Sequence, residues 1–159
     1  MSNRSAPSCE SNALTDRAAA CLMGSATYLW IREHLAEDGW PYRQPTWVMT
    51  SKARESIDGA DLRFAAGAVA DVVAEIEEAV SDPEAVLWLL GGGELAGQFL
   101  DAGLLDEMVV SYAPVTLGRG APLLPRRAQL RLRESEVCGD FVCARFLIDG
   151  LRPAADWQA

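Results

Sequence analysis

Three consecutive glycines, Gly91, Gly92 and Gly93, follow the apolar run Val86-Leu87-Trp88-Leu89-Leu90 and precede Glu94 and Leu95. Leu95, Phe99 and Leu100 then recur at helical spacing, and Gly103 stands where a helix C-cap glycine belongs. The order of residue types reads as strand, glycine turn, helix N-terminus. The first N–H groups of a helix have no intrahelical partners, and the helix dipole adds partial positive charge there. Such a turn is suited to phosphate, because glycine supplies both the sharp bend and room for a ligand to approach the main chain.

Other chemistries find little support. Gly91, Gly93 and Gly97 loosely imitate a dinucleotide-binding glycine fingerprint, but Asp106 and Glu107 precede the next strand instead of ending it. No Gly-Lys-Ser/Thr follows the triplet, so it is not a P-loop. His34 is the only histidine, and it reads as a solvated residue near a helix C-terminus. This excludes a Ser/His/Asp or Cys/His set and argues against a metal site. Cys9, Cys21, Cys138 and Cys143 form no CxxC pair and read as free thiols of a cytoplasmic protein. Asp106 and Glu107 read as residues that cap turns and bond locally.

The elements that position the glycine turn alternate between strand and helix. Residues 18–23 form a buried strand stopped by Gly24, with Ser25 or Thr27 as cap of a helix carrying Tyr28, Leu29, Ile31 and Leu35. A Pro-punctuated loop, 39–45, leads to a strand at 46–50 that ends in Ser51-Lys52. Asp58-Gly59 marks a turn, and 62–64 reads as a short strand. Val69, Val72, Val73, Ile76 and Val80 follow helical periodicity, with Glu75, Glu77 and Glu78 as a solvated charge run. The unbroken run 86–90 fits the central strand, buried on both faces as in a parallel sheet. After a strand at 108–112 and an irregular loop, segments 129–134 and 141–148 form a hairpin around Gly139-Asp140. Length and pattern give one domain, 18–150, flanked by a flexible tail at 1–17 and a second tail at 151–159. A net charge of −9 argues against nucleic acid or an anionic membrane as partner. The opening residues lack the apolar core of a signal peptide.

Several of these segments together resemble the RibD C-terminal, dihydrofolate-reductase-like family. They are Leu89-Leu90-Gly91-Gly92-Gly93-Glu94-Leu95, Leu104-Leu105-Asp106-Glu107-Met108, and Ala113-Pro114-Val115-Thr116-Leu117-Gly118-Arg119-Gly120-Ala121-Pro122-Leu123-Leu124. Leu22-Met23-Gly24-Ser25-Ala26-Thr27-Tyr28 is similar to the family's Gly-Arg-x-Thr-Tyr segment, and 45–52 to its strand ending in Ser-Arg or Ser-Lys. The resemblance implies a three-layer α/β/α sandwich with a mixed, mostly parallel sheet and a C-terminal antiparallel hairpin. It also implies NADPH and hydride transfer to a small pterin- or pyrimidine-like heterocycle, the activity of a 5-amino-6-(5-phosphoribosylamino)uracil reductase or a dihydrofolate reductase. By the same resemblance Gly91, Gly92, Gly93, Glu94 and Leu95 surround the cofactor pyrophosphate. Gly24, Ser25, Ala26 and Thr27 form a second phosphate-contacting turn. Thr50, Ser51 and Lys52, the only lysine, lie at the adenosine end, with Lys52 at the 2′-phosphate.

Two departures from the family pattern modify the expectation. Ser25 and Ala26 stand where the family commonly has arginine, which should weaken NADPH affinity. The family's first strand, ending in a Leu-Asp-Gly-like segment, has no counterpart in residues 1–17. No residue is singled out as catalytic. The expectation is therefore a cytoplasmic NADPH-dependent reductase related to riboflavin biosynthesis and assembled as a homodimer through its C-terminal strands and residues 114–125. The alternative is a non-catalytic nucleotide-binding or dimeric scaffold protein with a degenerate substrate pocket.

Overall fold

The computed structural model describes residues 17–35, 39–82 and 84–153. Strand β1 (Ala18–Gly24) is the element on which the parallel sheet is aligned. It pairs in parallel with β2 (Thr46–Met49) on one side and with β4 (Val86–Leu89) on the other. β2 pairs in parallel with β3 (Leu62–Ala65), giving the order β3-β2-β1-β4. A strand paired on both edges and covered on both faces has to be apolar throughout; Cys21, Leu22 and Met23 have 0% exposure. The expectation that 86–90 is the central, doubly buried strand is corrected here. Among the described residues β4 ends the hydrogen-bonded order, and all four of its residues are only half-buried. A short apolar run carries the same sequence signal at either position.

Three layers follow from side-chain alternation. Leu22 and Trp47 face a core shared with α2 (Val69–Val80) and α3 (Gly93–Asp101), through Val72, Ile76, Leu95 and Phe99. Their sequence neighbours Met23 and Val48 face the opposite side, where Tyr28 and Ile31 of α1 (Ser25–His34) cover them. A buried indole N–H needs an acceptor. That of Trp47 donates to Glu75 Oε1 at 2.9 Å, while the Arg63 guanidinium carbon lies 4.4 Å from the ring centroid. Glu75 is exposed, as expected of the 75–78 charge run, and through this bond is also tied to the core.

The helix ends also differ from the reading in one respect. β1 runs into α1 with no residue between them, so Ser25 is already helical and Gly24 is the N-cap, with no side-chain cap bond from Ser25 or Thr27. α3 ends as expected at Gly103: Leu104 N–H donates to Phe99 O at 2.8 Å and Gly103 N–H to Leu100 O at 3.0 Å. This is the bonding of a Schellman motif. His34 ends α1, exposed and stacked on Trp30.

The remaining strands, β5 (Glu107–Tyr112), β6 (Ala128–Cys138) and β7 (Phe141–Leu151), form an antiparallel sheet in the order β5-β7-β6. Gly139-Asp140 is the two-residue turn, with Cys138 opposite Phe141. The α/β sandwich with a C-terminal hairpin is therefore present, its parallel and antiparallel strands forming separate hydrogen-bonded sheets among the described residues. Glu107 does not bond locally: Arg145 Nε donates to it across β5 and β7 at 2.7 Å, and the same guanidinium reaches Glu134 at 3.3 Å. Cys21 is a buried thiol that burial pushes up to about 11, and Cys143 is a buried thiol 3.4 Å from Ser111 Oγ. Cys138 is disulfide-bonded, contrary to the expectation of free thiols throughout. The tails fall almost wholly outside the described residues.

Phe99, 2% exposed in the core between α3 and the parallel sheet, sets the first test. Phe99→Ala should cost about 3–5 kcal/mol in urea unfolding, with the slope of the transition unchanged. A cost below about 1 kcal/mol would show that this core does not carry the fold.

Candidate functional site

Parallel pairing brings three of the sequence-derived segments to one edge of the sheet. Gly24 lies opposite Met49, and Leu22 lies opposite Leu89, so 24–27, 50–52 and 91–95 leave neighbouring strands at the same level. Leu90 N–H donates to Leu22 O at 2.8 Å, which locks the last turn of register between β1 and β4. A Cβ on Gly24 would lie 3.8 Å from Leu95 Cδ2, so the first and third segments are in contact distance of each other. With strands about 4.8 Å apart, the three turns span about 10 Å. The helix N-termini at Ser25 and Gly93 both open onto this edge, at the C-terminal ends of parallel strands where α/β sheets bind ligands.

The three glycines divide into two kinds. Gly91 and Gly92 have φ of 95° and 66°, a region L side chains avoid, and a Cβ on either would meet nothing within 4 Å. They border open space. Gly93 does not: its Cβ would sit 2.6 Å from Pro122 O and 2.8 Å from Leu123 O. The last glycine is required by the loop packed on it. Gly97, which imitates part of a dinucleotide fingerprint in the sequence, lies under Arg126, whose guanidinium carbon would be 3.1 Å from a Cβ there.

At the β2 end, Thr50 Oγ1 accepts from Lys52 N–H at 3.1 Å and lies 3.3 Å from Lys52 O, so this hydroxyl holds its own turn. Ser51 and Lys52 are exposed. Tyr28 O–H donates to Glu55 O, fastening the segment that follows to α1. Sequence reasoning missed Arg54, whose Nε is buried with no hydrogen-bond partner among the described residues. An arginine two residues after Lys52 was the available signal. It also missed Arg126, which bonds Asp101 at 2.7 Å and Glu94 at 2.9 Å and holds the Glu94 carboxyl below its usual range. Among the described residues no group of three or more His, Cys, Asp or Glu could hold a metal, and no helix is long and apolar enough to cross a membrane.

The fold is an α/β protein of the dihydrofolate-reductase-like, RibD type, with two helix N-termini at the C-terminal end of its parallel strands. The family model of the RibD C-terminal domain matches residues 12–144, and the chain belongs to that family. Among curated relatives, the uncharacterized protein YwjB of Bacillus subtilis (strain 168) is 24% identical over 124 residues, 76% of this chain and 68% of the relative. YyaP of the same organism is 38% identical over 53 residues, 33% of this chain and 28% of its own. A crystal structure from Shewanella sp. PV-4, provisionally named a riboflavin biosynthesis protein, superposes with a TM-score of 0.74 at 25% identity over 94% of this chain and 83% of that one. The deaminase/5-amino-6-(5-phosphoribosylamino)uracil reductase of Thermotoga maritima superposes with a TM-score of 0.66 at 15% identity, over 92% of this chain but 50% of that one. The second likeness is one of fold.

Gly93→Ala should destabilise the chain by about 1–3 kcal/mol in urea unfolding, because its Cβ meets backbone carbonyls that cannot rotate away. Gly97→Ala should cost less, since a flexible arginine side chain can yield. Equal stability of Gly93→Ala and the parent would disprove the loop contact.

Proposed function

We propose that this chain binds NADPH along the C-terminal edge of its parallel sheet and is a reductase of a small pterin- or pyrimidine-like heterocycle. The observation that carries this reading is the meeting of residues 24–27, 50–52 and 91–95 at one edge, with open space over Gly91 and Gly92. A dinucleotide fits these residues. Its pyrophosphate calls for free N–H groups and room, which two adjacent helix N-termini and the two open glycines offer. Its 2′-phosphate calls for cations, and Lys52 would provide one, with Arg54, whose buried Nε has no partner among the described residues, as a second. Bound there, the nicotinamide would supply the hydride.

The work of the chain is then to bind, orient and exclude water. Residues 91–95 would donate backbone N–H groups to the pyrophosphate, with buried Leu95 packed beneath the turn. Gly24, Ser25, Ala26 and Thr27 would close the other side. Thr50 would act through the turn it holds, and Ser51 and Lys52 would face the adenosine phosphate. Glu107 is committed to Arg145 and is not offered as a proton donor. The reductase named for the Thermotoga maritima protein lends the substrate class. A cytoplasmic setting belongs to the same reading: the buried thiol of Cys21 agrees with it, and the disulfide at Cys138 opposes it.

Fluorescence titration tests the cofactor. NADPH should bind about tenfold or more tighter than NADH, the scale of one charge-assisted contact, and Lys52→Glu should erase the difference. Gly92→Val should abolish binding in a folded protein, because it fills the open space and cannot hold a positive φ. Equal affinity of the parent for both cofactors would refute the 2′-phosphate contact. Tight NADPH binding without turnover on any pterin or pyrimidine would favour the scaffold alternative.

We further propose that the chain is a homodimer. Tyr112, Val142 and Val137 lie in one row across β5, β7 and β6 and are 52%, 45% and 77% exposed. Val115, Leu117 and Leu123 add exposed apolar surface on the adjoining loop. Apolar area of this kind is what a partner surface covers. Sedimentation equilibrium at micromolar concentration should give about twice 17.2 kDa, reduced to the monomer mass by Leu123→Asp. A mass of 17.2 kDa for the parent throughout would rule the dimer out.

A further inference from the structure

One face of α3 is laid against the loop that follows β5. Gly93 and Gly97, one turn apart, leave the space in which the Pro122 and Leu123 carbonyls and the Arg126 side chain lie. The guanidinium of Arg126 rests over Gly97. Its Nε donates to Asp101 Oδ2 at 2.7 Å, its Nη2 to Glu94 Oε1 at 2.9 Å, and its Nη1 to Glu94 Oε2 at 3.4 Å and Pro125 O at 2.9 Å. One arginine therefore bridges two acids seven residues apart on the helix while gripping its own loop.

The position of Glu94 gives this bridge a consequence beyond packing. Glu94 sits in the first turn of α3, next to the glycine turn. Facing the N-terminus, a carboxylate there stabilises the helix but repels a phosphate held by the same N–H groups. Bidentate pairing draws the carboxylate toward Gly97, along the helix and away from the turn, and neutralises it.

We infer that Arg126 is a positioning residue for the glycine turn: it holds the Glu94 carboxylate off the anion site and joins residues 119–125 to α3 as one unit. The inference rests on the proposed dinucleotide site, but its structural half stands on the ligand-free chain. The planar fork is essential, since a lysine cannot reach Glu94 and Asp101 in the same geometry.

NADPH titration of four variants against the parent reads the charge effect. Arg126→Ala should weaken binding about tenfold, Arg126→Lys should recover it only in part, and Glu94→Gln should bind at least as tightly as the parent. The double variant Glu94→Gln/Arg126→Ala should regain most of the lost affinity, because no free carboxylate remains beside the turn. A double variant as weak as Arg126→Ala would overturn the charge role. So would Arg126→Ala binding like the parent, or Glu94→Gln, which leaves the Asp101 contact in place, binding markedly more weakly. Hydrogen exchange on the ligand-free chain reads the joining: Arg126→Ala should speed exchange both at the 96–99 amides of α3 and in residues 119–125. Acceleration in the loop alone would overturn it. Coupled acceleration in Arg126→Ala together with a parent that binds no NADPH would defeat the proposed function and leave the joining of loop and helix intact.

Discussion

Parallel hydrogen bonding between β1 and its two neighbours is the constraint on which everything else depends. Side chains could vary widely around it, but the register could not. Gly24 opposite Met49 and Leu22 opposite Leu89 decide that three turns from three distant parts of the chain emerge at one level. A slip of one residue would reverse every side chain from one core to the other. Leu22 and Trp47 would then face the α1 side, where Met23 and Val48 now fit.

The two cores fix what the strands alone leave open. Trp47, Phe99 and Ile76 hold α2 and α3 on one face, and Tyr28 and Ile31 hold α1 on the other. The short loops then aim helix N-termini at the sheet edge with little freedom. β1 passes into α1 at once, and β4 reaches α3 through three residues. Positive potential at that edge is thus a property of the backbone and persists in a chain whose net charge is −9.

Much of this was legible in the sequence, for physical reasons. The glycine turn, the α2 periodicity, the Gly103 stop and the Gly139-Asp140 turn are local signals, each decided by a few neighbouring residues. β4 was misread as central because an apolar run reports burial and says nothing of how many strands pair with it. Glu107 was misread, and the side-chain bonds of Glu75 and Arg126 were missed, for another reason. Their partners lie 28, 38 and, for Glu94, 32 residues away, and no local pattern announces such pairs. Gly93 was read as leaving room for a ligand, and what lies against it is the chain itself, through the Pro122 and Leu123 carbonyls.

That last contact separates two demands within one tripeptide. Gly91 and Gly92 answer to their own backbone, whose positive φ few side chains tolerate, while Gly93 answers to a peptide bond some thirty residues downstream. A replacement at either of the first two would be felt in the turn, whereas one at the third would be felt in the loop as well. The course of a distant loop is therefore tied to the last member of the tripeptide and to neither of its predecessors.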